Sequence, residues 1–168
     1  MTLAIRPAAR ADADAMAELI NAIIRIGGTT AYEDPFDAAS MDAEFISLPQ
    51  LVSCFVAEEN GEIAGFQSLM RGFEDHDPFP DDWGIIGTFA RVGLTRRGVG
   101  ASLFAHTAEA ARAAGICVID ATIRADNTGG LAFYSRLGFV DYAILRALPL
   151  RDGTPVDRIR KRFDVPVV

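Results

Sequence analysis

The chain is 168 residues long, half of it hydrophobic and 23% charged, with a formal net charge of −7. This describes a single globular domain over residues 1–168 with a substantial core, and it excludes a disordered polymer. A pI near 4.8 excludes a broad nucleic-acid binder, which needs an extended basic surface.

In chain order, residues 3–6 read as a short strand closed by Pro7. In the helix that follows, Met16, Leu19, Ile20, Ile23 and Ile24 form one apolar stripe. Asp12 and Asp14 occupy its first turn, where the helix dipole favours negative charge, and Gly27-Gly28 end it. A polar and aromatic loop, TTAYEDPFD (residues 29–37), precedes a second short helix over residues 38–48, stopped by Pro49. Residues 51–58 and 62–71 form a hairpin about Asn60-Gly61. An acidic, proline-containing loop over residues 73–82 cannot be a central strand.

Residues 83–91 are strand-like and lead into LTRRGVGASL. A helix over residues 98–114 places Leu103, Phe104, Thr107, Ala111 and Ala114 on one face, and Gly115 ends it. Residues 116–123 have the length and apolarity of a buried strand. Asn127 opens a short helix that Gly138 closes. Strands over residues 139–147 and 156–165 flank an Asp152-Gly153 turn. In the last strand Arg158, Arg160 and Arg162 alternate onto a solvated face opposite Ile159, Phe163 and Val165. The order is that of a mixed α/β domain.

No apolar run reaches the length of a bilayer span, and residues 1–16 lack the basic-then-apolar layout of a secretory signal. A soluble, cytoplasmic protein that binds neither nucleic acid nor membrane is expected. The two cysteines, Cys54 and Cys117, both lie in apolar runs, so buried thiols in a reducing compartment are expected, not a disulfide. No His/Cys cluster has metal-ligand spacing, and His106 is expected at the surface.

The turn at Thr95-Arg96-Arg97-Gly98-Val99-Gly100 joins a strand to a helix and offers backbone N–H groups to an anion. Glycines at 98 and 100 remove Cβ atoms that would hold a phosphate off the backbone. A Walker A loop requires a lysine that Gly100-Ala101-Ser102 lacks. A Rossmann fingerprint requires a third glycine where Leu103 stands. A tight turn with solvated arginines is one remaining reading; the other is a resemblance to the coenzyme A pyrophosphate turn of acyl-CoA N-acyltransferases, Gln/Arg-x-x-Gly-x-Gly/Ala, from which Thr95 departs.

Downstream, ADNTGGLAFYSRLGF carries Asn127, Phe133, Tyr134, Gly138 and Phe139 at a spacing that resembles the GNAT superfamily of N-acetyltransferases. IRPAARADADAMAELIN resembles that superfamily's first strand and helix. The 29–37 loop and ATIRADN resemble its phosphinothricin acetyltransferase-like branch. The resemblance implies the GNAT fold: a mixed, mostly antiparallel sheet of about seven strands with about four helices, central strands 4 and 5 splayed. It also implies acetyl-CoA as acyl donor, no metal, direct attack by a small primary amine (an amino acid or analogue) in a ternary complex, and a homodimer. Acetylation of a protein N-terminus or lysine, or a non-catalytic acyl-CoA sensor, are the alternatives.

Carried over residue by residue, the resemblance assigns the pyrophosphate to backbone N–H groups of Arg96, Arg97, Gly98, Val99, Gly100 and Ala101, with both guanidinium groups beside it. The strand over residues 88–92 would splay and pair with the pantetheine arm, with an N–H near Phe89 or Ala90 on the thioester carbonyl and Val92 where a proline is common. Asn127 would bond the cofactor or cap its helix. Tyr134 would be the general acid, since a phenol titrating near ~10 matches a departing alkyl thiolate. Gly129 and Gly130, where alanine is usual, imply a close backbone approach. The family's strand-4 glutamate is absent from Gly84–Phe89, which makes Glu33 or a water chain the general base, with Glu74 and His76 as weaker candidates.

Overall fold

The computed structural model describes residues 2–72, 79–94 and 98–167. Its elements are β1 (Leu3–Pro7), α1 (Ala13–Ile26), α2 (Ala38–Met41), β2 (Leu51–Glu59), β3 (Glu62–Arg71), β4 (Trp83–Ala90), α3 (Val99–Ala113), β5 (Val118–Arg124), α4 (Thr128–Arg136), β6 (Val140–Pro149) and β7 (Pro155–Asp164). Seven strands form one sheet in the order β1-β2-β3-β4-β5-β7-β6. Every neighbouring pair is antiparallel except β4 and β5. The mixed sheet and four helices expected from the resemblance are present.

The β2–β3 hairpin turns where Asn60 and Gly61 take φ of 54° and 78°, as the Asn-Gly pair requires. The second helix is shorter than expected. After Met41 the chain widens into one π-helical turn, Asp42–Ile46, in which Ser47 N donates to Asp42 O at 2.7 Å. Met41 and Phe45, before and within this turn, are both in the core, at 0% and 1% exposure.

Two cores cover opposite faces of the sheet. Met16 and Ile20 of α1 pack with Met41, Phe45, Val56, Phe66 and Phe89. On the other side Phe104 of α3 and Tyr134 of α4 pack with Leu69, Ile86, Ile119, Ile123 and Phe139. Each face draws on alternate strand residues, the period-2 pattern of a sheet covered on both sides.

Three further expectations change. Cys54 is buried but Cys117 is exposed, one residue before β5 and between the buried Ile116 and Val118. Asp12 does more than face a helix dipole: it is 8% exposed and accepts two 2.8 Å bonds from the Arg6 guanidinium. The arginine row of β7 is not simply solvated, since Arg160 stacks on Phe79 and Arg162 on Trp83, at 4.9 and 5.0 Å from the ring centres.

The feature that shapes a site is the β4–β5 pair. Its parallel register runs only from Trp83↔Val118 to Ile85↔Asp120. β4 then continues to Ala90 and β5 to Arg124 without pairing, so the two strands part within the sheet. A splay between strands 4 and 5 was the expectation.

Candidate active site

Backbone alternation identifies what opens into the splay. Arg91 N donates to Ala64 O at 2.8 Å, one step beyond the Gly65↔Ala90 pair. Amides in an antiparallel ladder point alternately toward and away from the partner strand. Those of Gly87 and Phe89 therefore turn to β3, and those of Thr88 and Ala90 turn to β5, where pairing has ceased. Of the two expected thioester donors, Ala90 has its amide in the gap and Phe89 does not. The Phe89 ring is 8% exposed and stacks on Phe66 at 5.0 Å, in the core. Val92 also departs from expectation: it lies beyond β4 in a turn and is 53% exposed.

α3 starts at Gly98, which takes φ +71° and has open space where a Cβ would stand. Ser102 N donates to Gly98 O at 3.0 Å, closing the helix's first turn. The N–H groups of Val99, Gly100 and Ala101 thus have no intrahelical acceptor and carry the positive end of the helix dipole. The Val99 side chain is buried against Gly65, so Val99 can offer only its backbone. Gly100 answers to a packing constraint besides the one expected: a Cβ there would stand 2.6 Å from the Phe133 ring. Thr95, Arg96 and Arg97 lie outside the described residues, as do Glu74 and His76.

Asn127 caps α4, its Oδ1 accepting from Gly130 N at 2.9 Å. Its Nδ2 donates to Thr29 O at 3.2 Å, tying α4 to the 29–37 loop. A Cβ on Gly130 would lie 2.6 Å from Asn127 Nδ2, so the close approach implied by that glycine is to the cap itself, while Gly129 has only an ordinary contact at 3.9 Å.

Tyr134 is 7% exposed, with its ring against Phe133 and Phe139. Its hydroxyl lies 2.8 Å from Thr88 Oγ1, which places the phenol at the splay. Burial pushes the phenol above its ordinary range, against a lowering by the Thr88 hydrogen bond, and Asp120 adds to the rise. Tyr134 is therefore a weaker acid than a free phenol and stays protonated at neutral pH.

Glu33 stands elsewhere, in the loop after α1, on the α1 side of the sheet. It is exposed, and its Oε2 accepts from Arg151 N at 3.0 Å. Asp34 pairs with the Arg151 side chain at 2.5 Å, so the loop is pinned to the β6–β7 turn. Two adjoining clefts of about 340 and 300 Å³ open here, of a size for a small ligand. Tyr32 and Glu33 line both. Tyr32 joins this region to the splay, since its ring packs on Phe89 at 6.3 Å while its hydroxyl donates to Glu44.

Arg124, at the splayed end of β5, lines the second cleft and pairs with Asp126 at 2.8 Å. Sequence reasoning missed Arg124, Thr88 and Gln67. Gln67 left a signal, being a lone carboxamide inside the apolar run IAGFQSLM, where a buried polar group needs a partner. Among the described residues no group of three or more His, Cys, Asp or Glu could hold a metal ion.

The sequence model of the acetyltransferase (GNAT) family matches residues 16–139. An L-methionine sulfoximine/L-methionine sulfone acetyltransferase of Pseudomonas paraeruginosa is 31% identical over 148 residues, covering 83% of this chain and 81% of that protein. Among solved structures, an N-acetyltransferase from Staphylococcus aureus Mu50 superposes with a TM-score of 0.85 at 19% identity, over 99% of this chain and 100% of that one. A phosphinothricin acetyltransferase from Sinorhizobium meliloti, in complex with acetyl-CoA, gives 0.84 at 20% identity, over 98% and 89%. Both carry the same fold. With a family match over most of its length and a relative of this identity and coverage, the chain belongs to the GNAT family of acetyltransferases.

Proposed function

We propose that this chain transfers the acetyl group of acetyl-CoA to the primary amine of a small amino acid or amino-acid analogue, by direct attack with both substrates bound. Acetyl-CoA supplies an activated acyl group on a thioester. The observation that carries the reading is the splay: a strand edge whose Thr88 and Ala90 amides face a gap, beside the open N-terminus of a helix and a buried phenol. That edge fits an extended amide-bearing arm. The N–H groups of Val99, Gly100 and Ala101, at the helix start that Gly98 opens, fit its pyrophosphate, and the turn that carries Arg96 and Arg97 leads into them in the sequence.

In this reading Ala90 N–H bonds the carbonyl oxygen, where negative charge develops. Glu33 receives the ammonium proton, supported by its being the one carboxylate that lines both clefts among the described residues. Arg124 faces the acceptor's own carboxylate or an isosteric acid group. Tyr134 returns a proton to the departing sulfur. Asn127 shapes the rim through its cap and its bond to Thr29. The named activity of the Pseudomonas relative and of the Sinorhizobium structure supports an amino-acid-like acceptor over a peptide.

We also read residues 1–168 as one domain in a cytoplasmic homodimer. The two free cysteines support a reducing compartment, and Val140 and Ile144, exposed on the edge strand β6, support self-association. None of the described helices is long and apolar enough to cross a membrane.

The test is thiol release from acetyl-CoA over L-methionine sulfoximine, L-methionine sulfone, phosphinothricin, free amino acids and lysine or N-terminal peptides. Turnover concentrated on the amino-acid analogues is expected, and Tyr134→Phe should lower kcat about 100-fold with little change in acetyl-CoA affinity. Turnover confined to peptides would transfer the assignment to protein acetylation. Acetyl-CoA binding without turnover on any amine would make the chain a sensor.

A further inference from the structure

A buried polar chain runs behind the phenol. Gln67 on β3 is 0% exposed, and its Nε2 donates to Thr88 Oγ1 at 2.9 Å. Thr88 lies opposite Gln67 in the β3–β4 register and meets the Tyr134 hydroxyl at 2.8 Å. Neither Gln67 nor Thr88 belongs to the motifs by which the sequence resembles its family.

The hydrogens of these three groups are few, and the orientation of the Gln67 carboxamide decides whether Thr88 keeps its own hydrogen to donate. A threonine hydroxyl has one hydrogen and two lone pairs, and so does a phenol as far as one donor is concerned. With the Gln67 N–H on Thr88 Oγ1, the single Thr88 hydrogen is free to point at the Tyr134 oxygen. The Tyr134 hydrogen is then not needed by the protein. If the carboxamide is turned over, its oxygen takes the Thr88 hydrogen, and Tyr134 must give its own hydrogen to Thr88. The turned-over form leaves both Gln67 N–H bonds without an acceptor in a fully buried site. The observed orientation satisfies one Gln67 N–H and leaves the other N–H and the more tolerant carbonyl, Gln67 Oε1, short of a partner, one orphaned donor fewer than the turned-over form.

We propose that Gln67 and Thr88 are positioning residues that fix the direction of the Tyr134 hydroxyl proton: Gln67 N–H to Thr88 Oγ1, Thr88 O–H to the Tyr134 oxygen, and the Tyr134 hydrogen directed into the splay. The proposal rests on Tyr134 being the group that protonates the departing sulfur. In that step the Tyr134 O–H bond breaks, its hydrogen passes to the thiolate sulfur, and the electron pair stays on the phenolate oxygen. Thr88 already donates to that oxygen, so the new charge meets a hydrogen bond in place and no rotor has to turn first. A phenol whose hydrogen was engaged by Thr88 would have to break that bond before it could act. The device uses residues of three elements, β3, β4 and α4, and it sits where β4 and β5 have ceased to pair.

The experiment uses the full chain in steady-state assays with acetyl-CoA and its best amine, on Thr88→Val, Thr88→Ser, Tyr134→Phe and the Thr88→Val/Tyr134→Phe double variant. Thr88→Val keeps the β-branched shape and removes the hydroxyl. It should lower kcat about tenfold, the equivalent of one neutral hydrogen bond, at unchanged KM for acetyl-CoA. Thr88→Ser should recover most of that loss, and Thr88→Val should cost nothing further in the Tyr134→Phe background. An unchanged kcat in Thr88→Val, or an equal loss with and without the phenol, would overturn the proposal.

A readout independent of turnover is the tyrosine Fermi doublet in the Raman spectrum, isolated as wild type minus Tyr134→Phe. An acceptor-type phenol that is lost in Thr88→Val is expected, and a donor-type phenol would overturn the stated direction. If Tyr134→Phe leaves kcat unchanged, the acid assignment itself falls and this proposal falls with it. A loss in Tyr134→Phe with a donor-type Raman signature removes only the role of Thr88 and Gln67.

Discussion

Two thiols in this chain have opposite accessibility, and local environment alone separates them. Cys54 is 6% exposed on β2, and burial, aided by the nearby Asp12 charge, pushes its thiol up to about 12. Cys117 is exposed, just before β5. At pH 8 a disulfide reagent should therefore modify one thiol in the native protein and two after denaturation, with the Cys117→Ser variant silent until it unfolds. Rapid native labelling of Cys54 would contradict its placement in the core. Apolar runs in the sequence suggested burial for both, because hydrophobic neighbours do not reveal whether a residue sits inside a strand or one step before it. Gln67 shows the reverse: its type marked it as needing a partner, but the partner, Thr88, comes from a strand 21 residues away.

At the scale of elements, the two glycines that open α3 answer to different constraints. Gly98 holds φ +71° with nothing near it, so Gly98→Ala should cost about 1 kcal/mol of stability, the strain of a left-handed L-residue. Gly100 touches the Phe133 ring of α4, and Gly100→Ala should cost about 1–3 kcal/mol by overpacking, since a Cβ would approach to 2.6 Å. Adding Phe133→Leu should recover part of that loss. Thermal unfolding of the two single variants and the double variant checks both statements, and additive losses in the double variant would show that Phe133 is not the obstacle. The spacing of the glycines pointed to an anion turn. That one of them also lets a helix pack could not be read from spacing, because Phe133 lies 33 residues further on. Element types were legible because apolar periodicity is a local property. The exact end of β4 was not, since it depends on where the β3 ladder stops.

For the molecule as a whole, β1, α1 and β2 are joined by one charged cluster. Arg6 on β1 donates to Asp12, in the turn that leads into α1, and to Glu58 on β2. The Arg6 guanidinium, with a bond from Ala9 N–H, holds the Asp12 carboxyl below the usual carboxylate range. The unfolded chain then takes up a proton at higher pH than the folded one. Stability is full above the ordinary aspartate range and falls as pH drops through the lowered folded value. Asp12→Asn should cost on the order of 1–2 kcal/mol at pH 7 and should flatten the acid side of the stability profile in urea unfolding. An acid slope unchanged by the substitution would place its origin elsewhere.

Helices, strands, the Asn-Gly hairpin and the motif that carries Tyr134 were determined by the sequence alone, because propensity, periodicity and turn chemistry act over a few residues. The family resemblance followed from the same short segments. Only the tertiary structure decided that β4 and β5 part after Ile85 and Asp120, that Ala90 and not Phe89 turns its amide into the gap, and that Glu33 and Arg124 line one cleft. It also brought Gln67, Thr88 and Tyr134 into one hydrogen-bonded chain. The physical reason is that strand register, and with it the side to which each amide and side chain turns, is settled by pairing between segments far apart in the chain.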